Sequence, residues 1–122
     1  MPAPTQITAA QLNRLIGTPD APVLIDLRID EDFAADPRLI PGARRHSHTH
    51  IENLATALCE RHAVLICHKG QKLSEGAAAI LRMTGTRGET LEGGHLVWSE
   101  TPELPLIRAA ALPDPYPHGP TR

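Results

Sequence analysis

The stretch VLICHKGQKLSEGAAAILR, residues 64–82, decides how this sequence folds. Residues 63–66 are all apolar and run directly into Cys67. A basic turn that contains Gly70 comes next, and it leads into a segment rich in good helix formers. The stretch therefore predicts a buried strand, a short loop and a helix, with one cysteine where the strand meets the loop.

The same alternation of strands and helices runs through most of the chain. Thr8 and Gln11 form a capping box that predicts a helix over 9–16, and the apolar run 23–27 predicts a second buried strand. The remaining predicted elements are an acidic helical turn at 30–35, a helix headed by a capping box of Thr49 and Glu52, a helix with Leu73, Ala77, Ile80 and Leu81 on its inner face, and a short strand at Thr90-Leu91. Strands that alternate with helices favour an α/β fold, with a parallel sheet covered by helices on both faces.

Composition excludes several classes of protein. The 122 residues carry a formal charge of −2, so nothing predicts a nucleic-acid partner or a basic membrane-binding surface. No apolar run approaches the roughly 18 residues of a membrane helix, and the expected location is the cytoplasm. Cys59 and Cys67 are too few for a disulfide framework, so each is expected to be a free thiol, with Cys59 packed near a helix end.

The loop after Cys67 has the composition of an anion site. Ligands of open parallel sheets bind beyond the carboxyl ends of the strands, and Cys67 is predicted to lie there. Gly70 lets successive amides turn inward, and Lys69 and Lys72 add positive charge beside a helix N-terminus. These features favour the thiolate of Cys67 and would equally hold an oxyanion. The loop therefore predicts a nucleophilic cysteine, with anion-binding residues at His68, Lys69, Gly70, Gln71 and Lys72.

Five motifs in this order resemble the rhodanese-type sulfurtransferases. They are Asp26-Leu27-Arg28, Glu31 with Phe33, Ile40-Pro41-Gly42-Ala43, the cysteine loop itself, and Leu91-Glu92-Gly93-Gly94 followed by Trp98. The match covers roughly residues 6–107. The resemblance implies a three-layer α/β/α fold with five parallel strands in the order 1-5-4-2-3. It places a rhodanese domain at 1–107 and leaves a proline-rich tail, extended or disordered, at 108–122.

The resemblance also implies a reaction. The thiolate of Cys67 takes a sulfur from a small anionic donor such as thiosulfate, holds it as a persulfide, and passes it to cyanide, a thiol or a protein acceptor. No metal or organic cofactor is implied. Asp26, Arg28 and Glu31 are expected beside the site, and the resemblance gives Asp26 and Arg28 a structural role, pairing with Glu31 or bracing the loop. Many thiosulfate-using members have arginine where this loop has His68 or Lys72, which leaves the donor open.

Other interpretations remain or are weakened by particular residues. A non-catalytic module that senses an oxyanion, or relays persulfide to a partner protein, would share the same loop. A cysteine phosphatase or arsenate reductase needs C-x5-R, but Leu73 stands at the arginine position. His46, His48 and His50 alternate like metal ligands on a strand, yet a helix cap at Thr49 would break that strand. The sequence does not place His95.

Overall fold

The computed structural model describes residues 5–108, and a parallel sheet lies at its centre. The strands of this sheet are β1 (Gln6–Ile7), β2 (Val23–Asp26), β4 (Arg44–Arg45), β5 (His62–Ile66) and β6 (Arg87–Leu91). They lie side by side in the order β1-β6-β5-β2-β4, and every pairing is parallel. The short strands β3 (Arg38–Leu39) and β7 (Ile107–Arg108) form a separate antiparallel pair. Numbered among themselves, the five central strands keep the order 1-5-4-2-3, and only the labels shift because of β3.

Helices cover both faces of the sheet, as the alternation of elements predicts. They are α1 (Ala9–Leu15), α2 (Asp30–Ala35), a 3₁₀ helix (His48–Leu54), α3 (Ala55–Leu58), α4 (Lys72–Arg82) and α5 (Gly94–Ser99). Residues of α1 and α5 pack on one face, and those of the 3₁₀ helix, α3 and α4 pack on the other. The three-layer α/β/α architecture is therefore confirmed.

Strand β5 shows how one sequence serves two cores. Successive side chains of a strand point to opposite faces, so Val64 and Ile66 join one core while Ala63 and Leu65 join the other. Residues 63–66 are all fully buried. A strand buried on both faces needs apolar residues at every position, which explains the continuous apolar run before Cys67.

One of the two predicted helix caps is present, and the other is not. The capping box of Thr8 and Gln11 is present, with hydrogen bonds in both directions. The cap predicted at Thr49 is wrong, because Ser47 caps this segment and accepts from the Thr49 amide. The segment then starts as a 3₁₀ helix, whereas an α-helix was expected.

Two burial predictions are also wrong. Ile80 is 39% exposed, and the buried positions of α4 are Ser74, Ala77, Ala78 and Leu81. Cys59, expected to be packed, is exposed. It follows helix α3, which ends at Leu58, and only Leu58 turns its side chain into the core.

The predicted domain boundary lies at the last described strand. Strand β7 extends to Arg108, one residue beyond the predicted end of the domain at 107. The rest of the predicted proline-rich tail, 109–122, lies outside the described residues. Within residues 5–108, no helix has the length and apolar character needed to cross a membrane.

Candidate active site

Cys67 lies directly after β5, at the carboxyl edge of the parallel sheet, where the sequence predicts it. Its side chain is buried, with 5% of the residue exposed. The sulfur Sγ accepts backbone N–H groups from Gly70 at 3.1 Å and Gln71 at 3.3 Å. Two amides directed at one sulfur favour its anionic form, because they supply partial positive charge without needing a counter-ion.

Gly70 gives the loop its inward turn. Its φ is +71°, a conformation that residues with a Cβ rarely adopt. A Cβ at this position would lie 2.5 Å from the carbonyl oxygen of Leu91 and 2.8 Å from the amide nitrogens of Gly93 and Gly94. Only glycine fits, for both conformational and steric reasons. The prediction that Gly70 shapes the loop agrees with this geometry.

The start of α5 holds the loop from the other side. The amides of His95 and Leu96 donate to the carbonyl oxygens of Cys67 and His68, each at 2.9 Å. A Cβ on Gly94 would come within 2.4 Å of the Cys67 carbonyl oxygen and 2.5 Å of the Gly70 amide nitrogen. The double glycine is therefore part of the site, a role that the sequence analysis did not assign. The adjacent glycines were the available signal, but their partner lies more than twenty residues earlier in the chain.

A second missed residue is Ser74, on the inner face of α4. Its side chain is fully buried, and its Oγ lies 3.2 Å from Cys67 Sγ. The same hydroxyl is 3.1 Å from the carbonyl oxygen of Gln71. The sequence signal was a serine beside the alanines of α4, on a helix face that could have been wholly apolar.

The other side chains of the cysteine loop are exposed or half-buried. Lys69, Gln71 and Lys72 are exposed, and Lys72 is the first residue of α4. No ion pair involves either lysine in the part of the chain that the structure describes. His68 is half-buried, and its Nδ1 is buried without a hydrogen-bond partner. Within residues 5–108, the two lysine charges of the loop are thus not paired with a carboxylate.

Asp26 and Arg28 form a buried ion pair at the end of β2. Arg28 Nη2 lies 2.9 Å from Asp26 Oδ2, and both residues are at most 2% exposed. The guanidinium also donates to the carbonyl oxygens of Asp36 at 2.9 Å and Arg38 at 2.8 Å. Arg28 therefore braces residues 36–38, where the chain enters β3. Arg28 pairs with Asp26 and not with Glu31, which is exposed on α2, so the first of the two alternative roles is wrong.

His95, which the sequence did not place, is a buried residue of α5, and its ring contacts Asp36 in the segment braced by Arg28. Its Nε2 lies 3.0 Å from Asp36 Oδ2. Burial lowers the pKa of His95, so the neutral ring with a proton on Nε2 donates to the carboxylate. Hydrogen bonds from Arg38 hold the pKa of Asp36 down at about 2. The amide of His95 holds the cysteine loop while its ring holds residue 36, so α5 joins the two segments.

The histidines at 46, 48 and 50 do not form a metal site. His46 is buried, with its Nε2 2.8 Å from the carbonyl oxygen of His50, and the 3₁₀ helix begins at His48. Among residues 5–108, no group of three or more His, Cys, Asp or Glu side chains is placed to hold a metal ion.

Cys59 cannot reach Cys67. The two cysteines lie on either side of β5, whose five residues span roughly 16 Å. Cys59 precedes the strand and Cys67 follows it, so they stand at opposite ends of the sheet.

Comparison with known proteins identifies the family. The family model for the rhodanese-like domain matches residues 8–101, well over half of the chain. The chain belongs to the rhodanese-like domain family. No curated protein matches this rhodanese-like domain closely enough to count as a relative.

Solved structures share the fold. A thiosulfate sulfurtransferase from Pseudomonas aeruginosa aligns over 91% of this chain and 21% of its own length, with 24% identity and a TM-score of 0.73. This rhodanese-like domain thus spans about a fifth of that protein. A rhodanese-like domain protein from Staphylococcus aureus aligns over 77% of this chain and 90% of its own, with 22% identity and a TM-score of 0.66. A rhodanese-related protein from Thermoplasma volcanium aligns over 84% and 96%, with 22% identity and a TM-score of 0.64.

Proposed function

We propose that this rhodanese-like domain is a sulfurtransferase that carries sulfur as a persulfide on Cys67. The observation that supports this proposal is the pair of amide donors, from Gly70 and Gln71, directed at a single buried sulfur. This arrangement stabilises an anion on Sγ, and the same two amides could donate to an anionic outer sulfur once Sγ itself is neutral.

The reaction has two halves. The Cys67 thiolate attacks the outer sulfur of thiosulfate, the bond between the two thiosulfate sulfurs breaks, and its electron pair leaves with sulfite. Cys67 then carries an anionic persulfide. In the second half, cyanide or a thiolate attacks the outer sulfur of the persulfide. The products are thiocyanate or a new persulfide, together with the restored Cys67 thiolate.

Thiosulfate is the donor that the charge of the loop favours. It is a dianion, and Lys69 and Lys72 offer two exposed positive charges that form no ion pair with any carboxylate among residues 5–108. Lysine acts as a point charge and lacks the planar fork of arginine, so we expect weak discrimination among small anionic donors. The same chemistry needs a reduced thiol, and we propose that the protein works in the cytoplasm.

The test is mass spectrometry of the protein after incubation with thiosulfate. We expect one added sulfur on the native protein and on Cys59→Ser, and none on Cys67→Ser, because only the buried thiolate has amide donors. Cys67→Ser should keep the native melting temperature. Transfer from the loaded protein to cyanide, followed as thiocyanate, tests the second half-reaction.

The outcomes separate the two functions considered for this loop. Loading of Cys59 in place of Cys67 would refute the site assignment. A native protein that takes no sulfur from thiosulfate or other sulfane donors would instead support the non-catalytic module, which senses an oxyanion or relays persulfide to a partner protein.

A further inference from the structure

The hydroxyl of Ser74 lies between two acceptors and can donate to only one of them at a time. Its Oγ is 3.2 Å from Cys67 Sγ and 3.1 Å from the carbonyl oxygen of Gln71, and the side chain is fully buried. A hydroxyl has a single proton, and the burial of Ser74 keeps it away from bulk solvent. The charge on Cys67 therefore decides where that proton points.

The chemical form of Cys67 decides which acceptor the Ser74 hydroxyl donates to. A thiol donates S–H to Ser74 Oγ, whose own proton then goes to Gln71. A thiolate has no proton and accepts a charge-assisted hydrogen bond, which is roughly twice as strong as a neutral one. In a persulfide the negative charge moves to the outer sulfur, Sγ becomes neutral, and the Ser74 proton returns to Gln71.

We propose that Ser74 stabilises the thiolate of Cys67 selectively over its thiol and persulfide forms, and is thereby a further catalytic residue of the site. The part that concerns sulfur transfer rests on the proposed function, whereas the part that concerns ionisation does not. The thiolate is the nucleophile of the first half-reaction and the leaving group of the second. A hydrogen-bond donor that acts only on the thiolate increases the fraction of Cys67 that can attack a sulfur donor. It also makes Cys67 a better leaving group when the sulfur passes to the acceptor.

The bond to Gln71 alone does not account for a serine at this position. The other buried residues of α4 are Ala77, Ala78 and Leu81, so an alanine would complete an apolar face. Serine in a helix commonly donates to the carbonyl three residues earlier, and Ser99 does so with Leu96 at 2.8 Å on α5. Contact with the reactive sulfur is what distinguishes Ser74 from Ser99.

The first test measures ionisation and needs no sulfur transfer. In a Cys59→Ser background only Cys67 can be alkylated, and the rate of iodoacetamide reaction is followed against pH. We expect Ser74→Ala to raise the midpoint of this profile by about one pH unit, the size of an ordinary charge-assisted hydrogen bond. Ser99→Ala, which loses the same kind of bond to a carbonyl, should leave the midpoint unchanged.

The comparison isolates Ser74 because the other charged groups stay in place. The titratable or charged residues closest to Cys67 along the elements around it are His68 and Lys69 on its loop, Lys72 and Glu75 in the first turn of α4, Asp26 at the end of β2 with Arg28 after it, and His95 on α5. They contribute to the midpoint equally in the parent and the variant. A merely structural serine would lower the melting temperature of Ser74→Ala without moving the midpoint, and that result would overturn the proposal.

The second test measures transfer. Protein loaded with one sulfur is mixed with cyanide, and thiocyanate release is followed. A poorer leaving thiolate departs more slowly, so we expect Ser74→Ala to release sulfur about threefold to tenfold more slowly, with Ser99→Ala unaffected. Native release by Ser74→Ala would refute the catalytic role. A shifted midpoint in a protein that accepts no sulfur would support the ionisation role and refute the proposed function instead.

Discussion

Replacing Gly94 by alanine tests whether α5 shapes the cysteine loop. The new Cβ would lie 2.4 Å from the Cys67 carbonyl oxygen, 2.5 Å from the Gly70 nitrogen and 2.6 Å from the His68 carbonyl oxygen. All three are backbone atoms of the loop, so the clash cannot be relieved by turning a side chain. Gly94 also has φ of +61°, where a residue with a Cβ costs about 1–2 kcal/mol.

The expected loss follows from these contacts. Moving the loop away breaks the hydrogen bonds from His95 and Leu96, each worth about 1 kcal/mol. With the backbone strain, the free energy of unfolding should fall by about 3–4 kcal/mol. The amides of Gly70 and Gln71 would shift off Sγ, and losing about 2.7 kcal/mol of anion stabilisation would slow sulfur loading about a hundredfold.

Gly76→Ala is the matched control, since its Cβ would have nothing within 4 Å and it lies inside α4. We expect this variant to be about 1 kcal/mol more stable, with unchanged loading. Thermal unfolding measures stability, and mass spectrometry at limiting thiosulfate measures the loading rate. Native stability and native loading in Gly94→Ala would refute the reasoning, because the clash would then have been absorbed without moving the loop.

Two further predictions concern charge. Replacing Lys69 and Lys72 together by glutamine should raise the KM for thiosulfate about tenfold with little change in kcat, because an exposed charge acts on ground and transition states alike. The effect should shrink as salt rises, and unchanged kinetics at low salt would show that the lysines do not bind the donor. For pH, burial lowers the pKa of His95 below its usual 6.5, so the unfolded chain binds more protons and stability should decline as pH falls below about 6.5. The pKa of Asp36 is about 2 against 3.8 unfolded, so its contribution is complete above about pH 3.8 and is lost between there and pH 2. The free energy of unfolding, measured by chemical denaturation between pH 7.5 and 5, should therefore fall less steeply with decreasing pH in His95→Gln than in the native protein. Parallel curves for the two proteins would contradict the burial argument.

The features of the site that could be predicted depend on residues only a few positions apart in the sequence. Cys67 sits between an apolar run and a helix-forming segment, and both signals are local. Gly70 marks the turn for the same reason. The five-strand order followed from the family resemblance, because periodicity alone gives strands and helices without their neighbours.

The missed features depend on contacts between distant segments. Gly94 matters because it touches Cys67, and His95 matters because its ring meets Asp36. Neither contact leaves a spacing that can be recognised in the sequence. Ser74 is a different case, since its helical position was predictable, but the distance from its hydroxyl to sulfur depends on how tightly the loop folds back.

The errors also have physical causes. Ser47 and Thr49 can both cap a helix. Ser47 is the cap here because the 3₁₀ helix begins two residues earlier than expected. Cys59 lies next to a buried leucine, but α3 is only four residues long, and the residue after a short helix turns outward as the chain leaves it.

The placement of the two cysteines at opposite ends of β5 has a kinetic consequence. In the proposed reaction, a Cys67 persulfide would have no second thiol within reach in its own chain, so it could not discharge by closing an internal disulfide. The sulfur would then be removed only by a nucleophile from outside, and each chain would carry a single sulfur between encounters. Turnover should then follow ping-pong kinetics, with the lifetime of the loaded form inversely proportional to acceptor concentration.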